Sequence, residues 1–136
     1  MNKVLQKRWS ELGEKVVELA REFPEERYEE SPAAEMRSFG EQLRHLAFWN
    51  EYAGKTLCGE TPDGEANTLP RAGNATRAEV VAAVERSFRA VGRALAATPA
   101  PDLDTAVAYL EHGGEHYGQL VVYYRLHGMV PPASRG

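Results

Sequence analysis

Cysteine is nearly absent from this chain: its 136 residues include a single one, Cys58. An intrachain disulfide is therefore excluded, and a reducing compartment fits. Long apolar runs are missing as well. Nothing approaches the roughly 18–20 consecutive apolar residues of a membrane span, and the start, MNKVLQKRWSELGEK, lacks the apolar centre of a secretory signal. The expectation is a cytoplasmic protein with no membrane association. An excess of positive charge is also lacking: the net charge is −4 and the charges are interspersed. Nucleic-acid binding needs clustered Lys and Arg to neutralise phosphates, so it is not expected. Alternating strand patterns are all but lacking.

What is present is the apolar content of an ordinary globular domain. Hydrophobic residues make up 43% and charged residues 26%, which suits one domain over residues 1–136 with a sizeable core. Four segments carry helical periodicity. In the first, about Val4 to Phe23, an apolar stripe runs through Leu5, Trp9, Leu12, Val16, Leu19 and Phe23. Pro24 ends it. The second starts at Ser38, where Ser38 and Glu41 form an S-x-x-E capping box. Its inner stripe is Phe39, Leu43, Leu46, Ala53 and Leu57, with His45, Trp49 and Tyr52 on one flank; Glu41, Arg44, Glu51 and Lys55 are expected to face away. The third begins with another box, Thr76 and Glu79, and turns Val80, Val84, Phe88, Val91 and Leu95 inward with no candidate ligand among them. The fourth starts after Asp102 or Asp104 as N-cap and runs to about His127, where Gly128 supplies a left-handed stop. Four such helices without strands imply an all-α four-helix bundle. Between the first two lies an acidic segment, PEERYEESPAAEMR, expected as a solvated crossover whose glutamates have no special role. Between the second and third lies CGETPDGEANTLPRAGNAT, a long loop of the kind that often serves as a functional lid.

The stretch Leu110–Pro132, LEHGGEHYGQLVVYYRLHGMVPP, concentrates the chemistry, with three of the four histidines. His112 and His116 stand one helical turn apart on one face, a spacing at which two imidazoles grip one metal ion. Tyr109, Leu120, Tyr123 and His127 share their stripe. The competing reading is a pair of half-buried, hydrogen-bonded histidines. A third ligand must come from elsewhere, and the remaining histidine is His45. His127, roughly 16 Å along the axis from His116, is too far to join them. Cys58, about 20 Å along its helix from His45, is excluded on the same ground. Trp49 and Tyr52 from the second helix, with Tyr109, Gln119 and Tyr123 from the fourth, are candidates to line a pocket, although bundle core accounts for such aromatics too. Gln119 and Glu41 lie one turn from His116 and His45, within reach of a ring N–H. Gly113 and Gly114 sit between the two ligands, where each weakens a helix by about 1 kcal/mol relative to Ala. Either something approaches closely there, or the position is merely tolerant.

S-F-G-E-Q-L-R-H-L-A near the start of the second helix, together with H-G-G-E-H-Y-G-Q-L-V-V-Y-Y-R-L-H-G-M-V-P-P at the end, resembles the DinB/YfiT-like family of metalloenzymes over nearly the whole chain. The resemblance implies a bundle in up-down-down-up order whose second and fourth helices present three histidines to a divalent metal. His45, His112 and His116 fall at those positions. It also implies a homodimer, and transferase activity with low-molecular-weight thiols such as bacillithiol or mycothiol is known among members.

Three neutral imidazoles leave at least one coordination position open, the layout of a catalytic rather than a structural site. Such a site lowers the pKa of bound water or activates a thiolate. Zinc or nickel is expected first, with iron or manganese as alternatives. The expectation is thus a metal-dependent thiol S-transferase or hydrolase acting on a small-molecule substrate. The alternative is a non-catalytic, metal-stabilised binding or stress-response protein.

Overall fold

The computed structural model describes residues 2–136. Four helices dominate: α1 (Asn2–Glu22), α2 (Phe39–Leu57), α3 (Arg77–Ala97) and α4 (Leu103–Leu126). Short 3-10 turns occupy Glu25–Arg27 and Pro132–Ser134, and the described residues contain no strand. Both capping boxes form, Ser38 with Glu41 and Thr76 with Glu79. Asp102, not Asp104, caps α4, and Gly128 takes φ 70° just beyond it. Helix ends therefore fall where the capping chemistry of the sequence puts them.

Side-chain contacts define the direction of each helix. In α1 and α3, Asn2 bonds the Leu95 carbonyl while Trp9 meets Phe88, so the two run antiparallel. In α2 and α3, Asn50 bonds Ser87 and Gly54 lies on Ala90, so that pair is parallel. Between α2 and α4, Tyr52 meets Tyr109 and Phe39 meets Tyr123, an antiparallel pair. In α1 and α4, Leu12 abuts Gly113 and Leu19 accepts from Tyr124, a parallel pair. The result is an up-down-down-up bundle in which α1 and α2 lie on a diagonal.

The parallel α2–α3 pair has a consequence. The chain leaves α2 at one end of the bundle and must re-enter α3 at the other. For a helix of 19 residues, the return covers roughly 28 Å at about 1.5 Å per residue. Residues 58–76 make that return along the flank of α2. Leu69 N–H bonds the Arg44 carbonyl, and Asn67 sits beside His45 and Trp49.

The core contains every apolar residue of the α1 and α3 stripes. Two expectations need correction. Arg44 does not face away: it is buried and grips Glu29 with two nitrogens, both at 2.9 Å, and the Asn74 carbonyl at 3.1 Å. The segment after α1 is accordingly not a freely solvated crossover. Glu29 is an anchor, its carboxyl held below the usual carboxylate range by Arg44 and Arg71 against the opposing effect of burial. Tyr28 is fully buried in a cluster of rings with Phe23 and Phe39. A charged pair folded back over a helix face leaves no periodic trace, which is why the pattern missed it.

Candidate metal centre

His45 projects from the middle of α2, and His112 and His116 from the middle of α4, across the antiparallel seam. One nitrogen from each ring falls within 4.8 Å of the others, a spacing at which all three can hold one ion. Ring centroids are 4.8 Å apart for His45–His116, 4.5 Å for His112–His116 and 5.6 Å for His45–His112. His45 and His116 are buried, and His112 is half-buried.

Hydrogen bonds settle which nitrogen faces inward. His45 Nδ1 lies 2.8 Å from the Asn67 carbonyl, which only accepts, so this nitrogen carries the proton. His116 Nδ1 donates to Gln42 Oε1 at 2.7 Å. Both rings therefore keep Nε2 as a free lone pair. His112 Nε2 and His116 Nε2 are 3.1 Å apart, and two bare lone pairs would repel at that distance. One proton lies between them, and a metal ion would take its place. His112 Nδ1 is buried with no partner among the described residues. The donor set fits a divalent ion: three imidazoles, two of them oriented from behind by acceptors.

Electrostatics keep the rings neutral. Burial depresses all three pKa values, and the Arg37 guanidinium pushes each further down. His116 falls furthest, to about 4, because His112 and His45 add to the effect of burial. Asn67 at His45 and Glu115 at His112 oppose burial more than Arg37 adds to it, and Gln119 opposes least at His116, yet burial prevails at all three. A neutral imidazole is the ligating form, so protons compete little for this site at neutral pH. Arg37 forms no ion pair among the described residues.

An arc of aromatic rings extends from the histidines. His45 is followed by Trp49 at 6.5 Å, Tyr52 at 4.9 Å further, Tyr109 at 6.2 Å and His112 at 6.4 Å, which closes the circle. Trp49, Tyr52 and Tyr109 are each partly exposed, so ring surface remains free for a ligand. Of the other sequence candidates, Gln119 stays beside His116 as a side-chain hydrogen-bond partner and the rest lie elsewhere. Tyr123 is buried against Phe39 and donates to the Arg37 carbonyl, two turns along α4 from His116. Gln119 is exposed. Glu41 is occupied by the Ser38 cap and does not serve His45. His127 faces Arg27, with its Nδ1 at 2.6 Å.

Sequence reasoning missed Gln42, Asn67 and Arg37. Gln42 was findable, since it lies three residues before His45 on the same face. Asn67 was not: its link to His45 is a backbone carbonyl that any residue carries. Gly113 and Gly114 prove different from each other. A Cβ at Gly113 would lie 2.7 Å from Leu12 Cδ2, so α1 approaches closely there, whereas Gly114 faces open space. A groove of about 870 Å³ runs between α1 and α3 past Trp9, Gly13 and Phe88, away from the histidines.

No curated protein matches the chain. The DinB superfamily matches over residues 8–129, nearly the whole bundle, and the chain belongs to that superfamily.

Proposed function

We propose that this DinB-superfamily protein binds one divalent metal ion through His45, His112 and His116 and is a metal-dependent enzyme of the thiol S-transferase or hydrolase type. The observation that supports this most is the convergence of three ligating nitrogens within 4.8 Å. Two of the rings have their outer nitrogens already engaged. Zinc or nickel suits an all-imidazole set best, with iron or manganese as alternatives. When bound, the ion supplies Lewis acidity at an open position.

The chain's own residues supply the rest. Gln42 and the Asn67 carbonyl hold two imidazoles in the ligating tautomer. Trp49, Tyr52 and Tyr109 exclude water from one side and offer apolar surface to the body of a small-molecule substrate. The positive charge of Arg37, close enough to depress all three histidines, favours an anionic reactant, and a low-molecular-weight thiolate such as bacillithiol or mycothiol fits that requirement. No helix is long and apolar enough to cross a membrane among the described residues, which is compatible with the cytoplasmic placement we propose. A homodimer is proposed on the family's account, and light scattering on the eluted protein tests it.

Elemental analysis tests the metal site, on tag-free protein beside His45→Ala and His116→Ala. About one equivalent of metal in the wild type and its loss in both variants is the expected result. A wild type that stays empty after incubation with zinc, nickel and manganese overturns the reading. Turnover of thiol-transfer or hydrolytic substrates by the loaded protein then separates an enzyme from a metal-stabilised binding protein.

A further inference from the structure

The return crossover does more than connect α2 to α3. Asn67 touches two parts of the site at once. Its carbonyl accepts from His45 Nδ1 at 2.8 Å, and its side-chain oxygen accepts from Trp49 Nε1 at 2.7 Å. It does so from a left-handed backbone, φ 60°, one of only two such non-glycine residues among those described. Asparagine tolerates that conformation and a β-branched residue does not. Its own N–H bonds the Gly64 carbonyl at 3.2 Å, closing a turn. Gly64 in turn lies on the rings of Trp49 and Tyr52, where an added Cβ would come within 2.9 Å of Trp49. Leu69 N–H, on the other side, is tied to the Arg44 carbonyl at 3.3 Å. The crossover is thus fastened to α2 on both sides of Asn67.

We propose that Asn67 is a positioning residue that couples the metal ligand His45 to the aromatic wall at Trp49. Resting on the metal-site reading above, this assigns the backbone carbonyl and the side-chain amide of one residue to two tasks. The carbonyl selects the His45 tautomer and ring angle, and the amide sets the face that Trp49 turns to the pocket. Because one turn of backbone serves both, a change at His45 is transmitted to Trp49 and the reverse. Filling the ligand position therefore alters the affinity of the wall for its ligand, and by linkage the wall ligand alters metal affinity by the same factor.

Three substitutions separate the tasks. Asn67→Gly keeps the left-handed turn and the carbonyl but deletes the amide. Asn67→Asp keeps an acceptor for Trp49. Asn67→Val breaks the turn. The readouts are zinc affinity by chelator competition, the Trp49 indole N–H resonance assigned with Trp49→Phe, and the His45 imidazole ¹⁵N shifts in metal-free protein, with helical circular dichroism confirming folding. Asn67→Val is expected to weaken zinc binding about 10–100-fold, the usual effect of losing a group that orients a ligand, and to lose the single His45 tautomer. Asn67→Gly is expected to hold zinc within about threefold of wild type, as its ligand-orienting carbonyl is retained, while its indole resonance moves. Asn67→Asp is expected to restore that resonance, and zinc addition to wild type to shift it. Wild-type zinc affinity in Asn67→Val, or an indole resonance unmoved in Asn67→Gly and by zinc, overturns the proposal. Should the wild type bind no metal, the metal-site reading fails by itself. The His45 tautomer and the indole resonance of the metal-free variants still decide the role of Asn67.

Discussion

The bundle has two antiparallel seams, and they are filled in opposite ways. Between α1 and α3, Trp9 and Phe88 pack at 5.8 Å, Gly13 makes room for the Phe88 ring where an added Cβ would lie 3.0 Å from it, and the stripes are uniformly apolar. Between α2 and α4, the same depth holds His45, His116 and Gln42. Burial of apolar area stabilises at roughly 25 cal/mol per Å², and the second seam forgoes much of that gain. Its polar groups are bearable because most are paired, as Gln42 with His116 and Asn67 with His45. One seam holds the fold together while the other carries a site, and each is affordable because of the other.

Breaking the first seam should have the largest effect on stability. Trp9→Ala is expected to cost about 3–5 kcal/mol in urea unfolding, while any protein that remains folded still binds metal in full proportion. If metal were lost before the fold, the seams would not be separable.

The second seam should respond to acid. The pKa values of the three histidines are depressed in the folded state, so the unfolded chain takes up protons first. The metal-free protein should be fully stable above about pH 6.5, the ordinary histidine value. It should weaken as pH falls toward the value of about 4 held by His116. For His116 alone the loss approaches about 3 kcal/mol at 1.36 kcal/mol per unit. Urea midpoints from pH 7 to pH 4.5 in chelator measure it, and His116→Gln should flatten the slope. An unchanged slope in that variant would place the acid sensitivity elsewhere.

A smaller change at the same seam removes an orienting partner and leaves the ligands in place. Gln42→Leu leaves His116 Nδ1 without its acceptor and is expected to lower metal affinity about 10–100-fold. The metal-free protein should also lose about 1–3 kcal/mol, the cost of leaving a buried N–H without an acceptor. Competition with a chromophoric chelator reads the affinity.

The finest test uses the adjacent glycines. Gly114 faces open space, so Gly114→Ala should stabilise by about 1 kcal/mol, the helix propensity difference. Gly113→Ala must displace Leu12 and should forfeit that gain. Equal thermal midpoints for the two variants would refute the close approach of α1 to α4.

Much of this was legible in the chain. The stripes of α1 and α3 are periodic because each helix turns one continuous apolar face to the core. The S-x-x-E and T-x-x-E boxes mark helix starts because their hydrogen bonds are local. His112 and His116 announce themselves because a turn of helix alone brings them together. Arg44, Glu29 and Tyr28 were hidden, since their burial depends on a segment folding back from the end of α1. Tyr124, fully buried against Phe23, was hidden beside Tyr123 for the same reason: both are buried, Tyr123 against α2 and Tyr124 against α1, because α4 packs on two helices at once.

By itself, the sequence determined four helices, their caps, a single hydrophobic core and a pair of histidines one turn apart, all of which follow from interactions within a few residues. Periodicity left open whether α2 and α4 are neighbours; the family resemblance implied it, and the tertiary structure shows it by bringing His45 to complete a triangle. It also decided that α2 and α3 are parallel, so that a crossover must travel the length of the bundle and bring Asn67 to the site. Those decisions rest on how whole helix faces match one another, and no local pattern carries that information.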